Sequence, residues 1–228
     1  MGVPVMIIGE SGSGKTYSIK NLDPETVGIF LCEKSRLPFK KRFPVFKVKN
    51  AEQEVNGQMQ TIRQSAVIQS ILRRPKLQKK IYIIDDSQYI MANEFFDRAK
   101  ESGYQKFTDI GCNFRNLIHL VNEDLPDDVI VYFMHHPEVD GNTGKQKAKT
   151  VGRMLDEKLT VEGCFDIVLF ARTDGHEHWF QTQSDGTNTA KSPEDMFPER
   201  IPNDLALVDS TIREYYGMEP IKESEETE

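Results

Sequence analysis

A glycine-rich loop between an apolar strand and a helix constrains this chain more than any other feature. Residues 9–16 read Gly-Glu-Ser-Gly-Ser-Gly-Lys-Thr, which fits the phosphate-binding pattern G-x-x-x-x-G-K-S/T. The apolar run at residues 3–8 predicts a buried strand, and residues 16–22 predict the start of a helix. A plain glycine-rich turn before a helix would not require Lys-Thr at this spacing. The sequence therefore predicts a nucleoside triphosphate site.

The residue types in the loop suit phosphate chemistry. Glycines let the backbone curl so that its N–H groups point at phosphate oxygens, and the helix N-terminus adds the positive end of its dipole. Lys15 would reach the β- and γ-phosphates of ATP, and Thr16 would ligate Mg²⁺. The residues predicted to hold the nucleotide are Gly9, Glu10, Ser11, Gly12, Ser13, Gly14, Lys15, Thr16 and Tyr17.

Composition predicts one globular domain, at residues 1–218. The chain has 228 residues, 38% of them hydrophobic, and a net charge of -7. No apolar run approaches the roughly 20 residues that span a bilayer, and the first strand leaves no room for a signal peptide. Cys32, Cys112 and Cys164 are widely spaced and predict reduced, mostly buried thiols in a cytoplasmic protein. The acidic segment at residues 219–228 predicts a disordered tail.

Strands and helices alternate along the rest of the chain. Apolar runs predict further strands at residues 27–32, 81–84, 129–134 and 165–171. Helical spacing of apolar residues predicts helices at residues 51–72, 89–100 and 107–122. Residues 178–183 and a turn at 184–188 predict a C-terminal β-hairpin. This order predicts an α/β fold with a mostly parallel central sheet and helices on both faces.

A second acidic motif ends the strand predicted at residues 81–84. Residues 81–86 read Ile-Tyr-Ile-Ile-Asp-Asp, an apolar strand that ends in acid, as in the Walker B pattern. Many buried strands end in an acidic turn residue, so the motif alone is weakly specific. Its place beyond another strand and a helix suits a P-loop ATPase. We predict that Asp85 holds Mg²⁺, directly or through water.

Hydrolysis also requires a group that orients or deprotonates the attacking water. Asp86 directly follows the acidic strand end, where many ATPases of the AAA class place a glutamate. Glu33 follows the strand at residues 27–32, and we prefer it because its side chain is longer and it stands cleanly at the strand end. The alternative for Glu33 is an exposed acid paired with Lys34 or Arg36.

Histidines follow the strand predicted at residues 129–134. His135 or His136 would contact the γ-phosphate and report its presence to the next loop, or both would be ordinary hydrogen-bonding residues at a strand end. A metal site that combines them with His176 and His178 is a weaker hypothesis, because no tight Cys/His spacing supports it.

With these motifs, the chain resembles the RecA-like P-loop (AAA-family) ATPases of phage recombination and replication modules, which include short single-strand-annealing recombinases. The resemblance covers most of residues 3–208. It is carried by the loop at 9–16, by Glu33 and residues 37–39, and by the segments at 83–87, 133–136, 149–158 and 190–192. It implies a RecA-like fold and Mg-dependent ATP hydrolysis. The chain departs from the group at His135 and His136, where RecA-like cores often carry glutamine.

The resemblance also implies a DNA contact. In RecA-like proteins, the loop after the fourth strand contacts single-stranded DNA, and here that loop is residues 139–153. Its lysines stand at every second position, which suits a mobile segment that follows a phosphate backbone. No aromatic residue that could stack on a base stands among them. The predicted DNA-binding residues are Lys145, Lys147, Lys149 and Arg153. The alternative is a solvated loop without a nucleic-acid partner.

RecA-like ATPases commonly bind ATP between subunits, which implies self-association into oligomers or filaments. Lys191, in a Lys-Ser-Pro turn, would then complete the neighbouring subunit's site, as an arginine finger does. The favoured function is an ATP-dependent recombination or annealing protein on single-stranded DNA, with single-strand-binding or other recombination proteins as further partners. The alternatives are an ATPase that acts on a protein partner in replication, as helicase loaders do, and a small-molecule kinase, which is the weakest.

Overall fold

An eight-stranded sheet forms the centre of the computed structural model, which describes residues 1–33, 36–152 and 160–221. The strands in those ranges are β1 (Val3–Ile8), β2 (Val27–Leu31), β3 (Val45–Lys47), β4 (Ala51–Val55), β5 (Gln58–Ile62), β6 (Ile81–Asp85), β7 (Ile130–His135), β8 (Pro137–Val139), β9 (Gln146–Ala148), β10 (Ile167–Thr173), β11 (His178–Gln181) and β12 (Arg200–Pro202). The helices are α1 (Gln64–Leu72), α2 (Gln88–Asp97), α3 (Gln105–Asp124) and α4 (Leu205–Tyr215), with 3₁₀ turns at Thr16–Asn21, Pro75–Leu77 and Val161–Cys164. Most of the predicted acidic tail lies outside the described residues.

The strand order is β12-β11-β10-β1-β7-β6-β2-β3. The six strands from β10 to β3 run parallel, and β11 and β12 add an antiparallel edge. This confirms the prediction of an α/β fold with a mostly parallel sheet, and the arrangement is compatible with a Rossmann- or RecA-like fold. β7 separates β1 from β6, so the glycine-rich loop and the acidic strand end belong to strands that are not neighbours.

Each face of the sheet carries its own apolar core. Met6 and Ile8 of β1 face a cluster that includes residues of α1, α2 and α3, whereas Val5 and Ile7 face a cluster that includes Ile19 and residues of α4. Because side chains alternate along a strand, a strand covered on both faces must be apolar throughout. This explains why the central strands are unbroken apolar runs.

The helices cover the faces of the sheet. α3, the longest at 20 residues, buries Ile110, Phe114, Leu117 and Val121 on one side and exposes polar residues on the other. Such one-sided burial is typical of a surface helix in a layered domain. Within the described ranges, no helix combines the length and the apolar character needed to cross a bilayer.

The helix predicted at residues 51–72 is wrong over its first half. β4 and β5 pair as an antiparallel hairpin, and only α1 is helical. Asn56 and Gly57 close the hairpin with positive φ angles of 53° and 78°. Asn-Gly is the preferred dipeptide of two-residue hairpin turns, so the sequence did carry the signal. The helical spacing of Val55, Met59 and Ile62 was coincidental.

The C-terminal hairpin is present, but its turn was misplaced. β11 folds back on β10 through residues 174–177, where the Asp174 carboxylate accepts hydrogen bonds from the N–H groups of His176 and Glu177. β12 then pairs with the outer edge of β11. Residues 184–188 form a separate turn instead, in which the Asp185 carboxylate accepts from the N–H of Thr187. β3, α4 and the β8–β9 pair were not predicted.

Candidate nucleotide site

The glycine-rich loop follows β1 at the carboxyl edge of the sheet, where parallel α/β sheets bind ligands. Gly12 and Gly14 have φ angles of 82° and 94°, which side-chain-bearing residues rarely adopt. A Cβ on Gly14 would collide with Asn203 Nδ2, and one on Gly9 would lie 2.5 Å from Ser13 Oγ. The curled loop therefore excludes larger residues at these positions.

Lys15 lies inside the loop. Its side chain is buried, with the residue 5% exposed, and Nζ donates to Gly9 O at 2.5 Å and to Glu10 O at 3.0 Å. The ammonium group therefore stands beneath the backbone that phosphates would approach. Ser13, also buried, has an Oγ without a hydrogen-bond partner in the described part of the chain. A cation and a buried hydroxyl thus occupy the same small loop.

Thr16 and Asp85 meet although they are 69 positions apart in the chain. Thr16 Oγ1 donates to Asp85 Oδ1 at 2.9 Å, and both residues are buried. Asp85 is the last residue of β6, and its position follows from the parallel pairing of β6 with β7 and of β7 with β1. The structure brings together the two oxygen ligands that the sequence predicted for Mg²⁺. Hydroxyl and carboxylate oxygens are ligands that this hard cation prefers.

The two candidate catalytic acids lie near Asp85 in different surroundings. Asp86 is 2% exposed, has a positive φ of 57°, and its Oδ1 lies 3.3 Å from His136 Nε2. Glu33 is exposed and lies two residues after β2, whose Leu31 is in register with Asp85. Lys34, one suggested ion-pair partner of Glu33, is outside the described residues.

Cys32 interacts electrostatically with all three acids. Burial raises the pKa of its thiol well above the ordinary value, and the negative charges of Asp85, Asp86 and Glu33 raise it further. The thiol is therefore protonated, and all three acids stand within electrostatic reach of it. Of the other cysteines, Cys164 is half-buried and Cys112 is exposed, so the prediction of mostly buried thiols is wrong for Cys112.

His135 links three parts of the site. Its Nε2 donates to Lys149 O at 2.8 Å, its Nδ1 lies 2.8 Å from Ser87 Oγ, and its own carbonyl accepts from the N–H of Gly9 at 3.0 Å. The ring is fully buried, and both of its nitrogens are used within the protein. His136, which lies against Asp86, is therefore the better placed of the two histidines for a group on the nucleotide side.

Burial lowers the pKa of His135 to about 4, with smaller contributions of both signs from neighbours. Between pH about 6.5 and 4, the unfolded chain binds a proton at this position that the folded chain does not. Acidification over this window should therefore lower the free energy of unfolding. The contribution of His135 to this loss should reach about 3 kcal/mol below pH 4. Urea unfolding from pH 7 to 4 should show a flatter dependence in His135→Asn than in the unsubstituted chain. Phe133→Leu, a packing change on the same strand, should keep the original slope; equal slopes in all three would contradict the prediction.

Two contacts to the loop come from residues that sequence reasoning missed. His178 Nδ1, in β11, donates to Ser13 O at 3.1 Å, and Asn203 Nδ2, just after β12, donates to Gly14 O at 3.2 Å. Asn203 Oδ1 is buried without a hydrogen-bond partner in the described residues. The C-terminal strands therefore support the phosphate-side backbone from outside. The sequence suggested His178 only as a metal ligand, and nothing local to Asn203 signals its contact.

The predicted DNA-binding segment is an ordered hairpin over most of its length. β8 pairs with β9, and the Asp140 carboxylate accepts from the N–H groups of Asn142 and Thr143 at the tip. Lys147 lies within β9 and Lys145 and Lys149 flank it, so the two-residue spacing of the lysines follows the period of a strand. Lys147 is ion-paired with Glu138 and Asp140, whereas Lys145 and Lys149 are exposed. Arg153 lies outside the described residues.

Lys191 lies beside β10. Its backbone exchanges hydrogen bonds with Val168, the second residue of that strand, and the residue is half-buried. Its predicted role in a neighbouring subunit stays a prediction. The hypothesis of a histidine metal site is not supported, because no group of three or more His, Cys, Asp or Glu in the described ranges is arranged to hold a metal ion.

Comparison with known proteins does not assign the chain to a family. A scan against protein-family models finds no match, and a search of curated proteins finds none either. The case for the site therefore rests on the geometry of residues 9–16, Asp85 and their neighbours.

Proposed function

We propose that this protein binds Mg·ATP in the loop at residues 9–16 and hydrolyses it, with a RecA-like fold. The observation that carries the proposal is the contact of Thr16 with Asp85 beside the buried Lys15, at the carboxyl edge of a parallel sheet. A strand–loop–helix context is what distinguishes a phosphate-binding loop from a chance match. Here the loop follows β1 and leads into a short 3₁₀ helix at Thr16–Asn21, where the sequence predicted the start of a helix, and a buried acid from a different strand lies beside it.

The residues present fit magnesium and a triphosphate. Thr16 and Asp85 would hold the metal, and the backbone of the loop, Ser13 and Lys15 would hold the phosphates. Mg²⁺, when bound, would neutralise charge on the β- and γ-phosphates. Positive φ angles favour glycine at Gly12 and Gly14, and a Cβ on Gly14 would also collide with Asn203, so the loop backbone carries no side chain at these two positions.

The hydrolytic step needs one base. In the proposed reaction, Glu33 takes a proton from water, the water oxygen bonds to the γ-phosphorus, and the bond from that phosphorus to the β–γ bridging oxygen breaks, giving ADP and phosphate. Glu33 is exposed to solvent water, whereas Asp86 is buried against His136. This contrast supports Glu33 as the base and Asp86 with His136 as a pair that positions groups around the γ-phosphate.

The substrate that best fits the basic hairpin is single-stranded DNA, and the proposed role is phage-type recombination or annealing. Lys145 and Lys149 are exposed. The Lys149 carbonyl accepts a hydrogen bond from the His135 ring, and the His135 carbonyl accepts one from the N–H of Gly9 in the loop. This chain of contacts connects the hairpin with the nucleotide edge. In the same proposal the ATPase self-associates, and Lys191 completes the neighbouring subunit's site. The alternative is an ATPase that acts on a protein partner in replication.

ATPase and DNA-binding assays separate these functions. Single-stranded DNA should stimulate ATP hydrolysis, and replacing Lys145, Lys147 and Lys149 with glutamine should weaken DNA binding. The slope of log affinity against log salt should flatten by about 0.7 for each phosphate that the protein no longer neutralises. Lys47, Lys49 and Lys76, which are all exposed, form a triple lysine control that should leave both properties unchanged. DNA that neither binds at any salt concentration nor changes turnover would favour the protein-partner alternative.

A further inference from the structure

A cleft of about 710 Å³ lies beside the candidate nucleotide site. It is bounded by α2, by the start of α3 and by the residues that follow β7 and β9. Glu10 of the glycine-rich loop and His136, the partner of Asp86, are among its lining residues. The cleft therefore shares residues with the nucleotide edge while most of its wall belongs to other elements.

Four aromatic rings of two helices line this cleft. Tyr89, Phe95 and Phe96 come from α2, and Phe107 comes from α3. The Phe95 ring centroid lies 5.7 Å from that of Phe107 and 5.5 Å from that of Phe96. Phe96 is 71% exposed, so packing of the core does not account for it. Tyr89, Phe95 and Phe107 are half-buried, so Phe96 is the ring most open to a ligand with flat apolar faces.

Cations accompany the rings. Lys149 is exposed and lines the cleft. Lys106, whose Nζ lies 5.6 Å from the centroids of both Phe95 and Phe107, is outside the cleft lining and donates to Arg98 O and Glu101 O. The Lys149 backbone is held on both sides, since its N–H donates to His136 O and its carbonyl accepts from His135. Aromatic rings that stack bases and cations that contact the phosphate backbone are the two components of single-strand nucleic-acid sites. The predicted DNA segment alone lacked the aromatic component.

We propose that this cleft binds unstacked bases of single-stranded DNA, with Phe96 as a stacking residue and Lys149 toward the phosphate backbone. The inference rests on the proposed function, because it names the base-binding part of the same DNA site. It places bases against Glu10 and His136, so that DNA and ATP occupy adjoining sites. In this arrangement the hairpin lysines contact phosphates whatever the base, and residues of α2 and α3 contact the bases.

The test compares two fluorescent oligonucleotides of equal length, oligo(dT) and an abasic strand, by anisotropy. The unsubstituted protein should bind oligo(dT) more tightly than the abasic strand. Phe96→Ala should weaken oligo(dT) binding about tenfold or more and leave abasic binding unchanged. Tyr104→Ala is the matched control, because Tyr104 is 77% exposed and lies outside the cleft lining. Both substitutions remove an exposed ring, so the fold should tolerate each.

Three results would overturn the inference: no binding of either strand, equal affinity for both strands, or equal effects of Phe96→Ala and Tyr104→Ala. A fourth is loss of self-association in Phe96→Ala with DNA binding intact, which would make the cleft a contact between copies of the chain. ATP hydrolysis is measured separately from DNA binding. Base-selective, Phe96-dependent binding in a protein that does not hydrolyse ATP would support the cleft and contradict the proposed hydrolysis.

Discussion

Replacing Lys15 with alanine is expected to abolish ATP binding or to cut turnover by orders of magnitude. The buried ammonium group would neutralise charge on the transferred phosphate in a site with little water, an electrostatic contribution of about 3 kcal/mol or more. Binding of a fluorescent ATP analogue and release of phosphate would measure the two effects separately.

Lys20→Ala is the matched control for this substitution. Lys20 belongs to the same short 3₁₀ helix, and its Nζ lies 4.2 Å from the ring centroid of Tyr17 rather than inside the loop. It should retain nucleotide binding and turnover. Because Lys15 also bonds Gly9 O and Glu10 O, thermal unfolding of Lys15→Ala must show that the fold survives. A folded Lys15→Ala protein with normal affinity and turnover would refute the nucleotide site.

Replacing Glu33 with glutamine should preserve ATP binding and cut hydrolysis by about 10²- to 10⁴-fold, because the amide keeps the shape but cannot accept the proton from water. Asp86→Asn should be milder, since the proposed base is elsewhere. Single-turnover phosphate release at saturating ATP would measure both. Glu25→Gln, at another exposed acid, is the control. If Asp86→Asn alone stops turnover, the base is Asp86 and the site is closer to the AAA class.

The parts of the site that local motifs describe could be predicted from the sequence. The loop at residues 9–16 and Asp85 each follow an apolar strand, and parallel strands bring such ends to one edge. That reasoning is enough to predict that Thr16 and Asp85 lie close together. The parallel sheet itself followed from alternating apolar runs and helical segments.

Contacts between distant segments could not be predicted in this way. Asn203 and His178 contact the loop from 189 and 165 positions away, and their contacts depend on how β11 and β12 add to the sheet edge. The aromatic cleft combines residues of two helices with residues that follow β7 and β9, so no single segment carries its pattern. The β4–β5 hairpin is different, because Asn56-Gly57 was a readable turn signal that the helical spacing obscured.

β7 has a consequence for the width of the site. The loop and the acid-bearing strand do not pair with each other; Gly9 N–H donates to His135 O, and Ser87 N–H donates to Met134 O. One intervening strand therefore acts as a spacer that sets the gap between the phosphate-holding and acid-holding halves. Inserting or deleting one residue in this spacer would reverse its side chains, and the ring of His135 would leave the face from which it reaches Ser87 and Lys149. A length change in this strand should therefore disturb the proposed site, although the strand contributes no side chain to the proposed phosphate contacts.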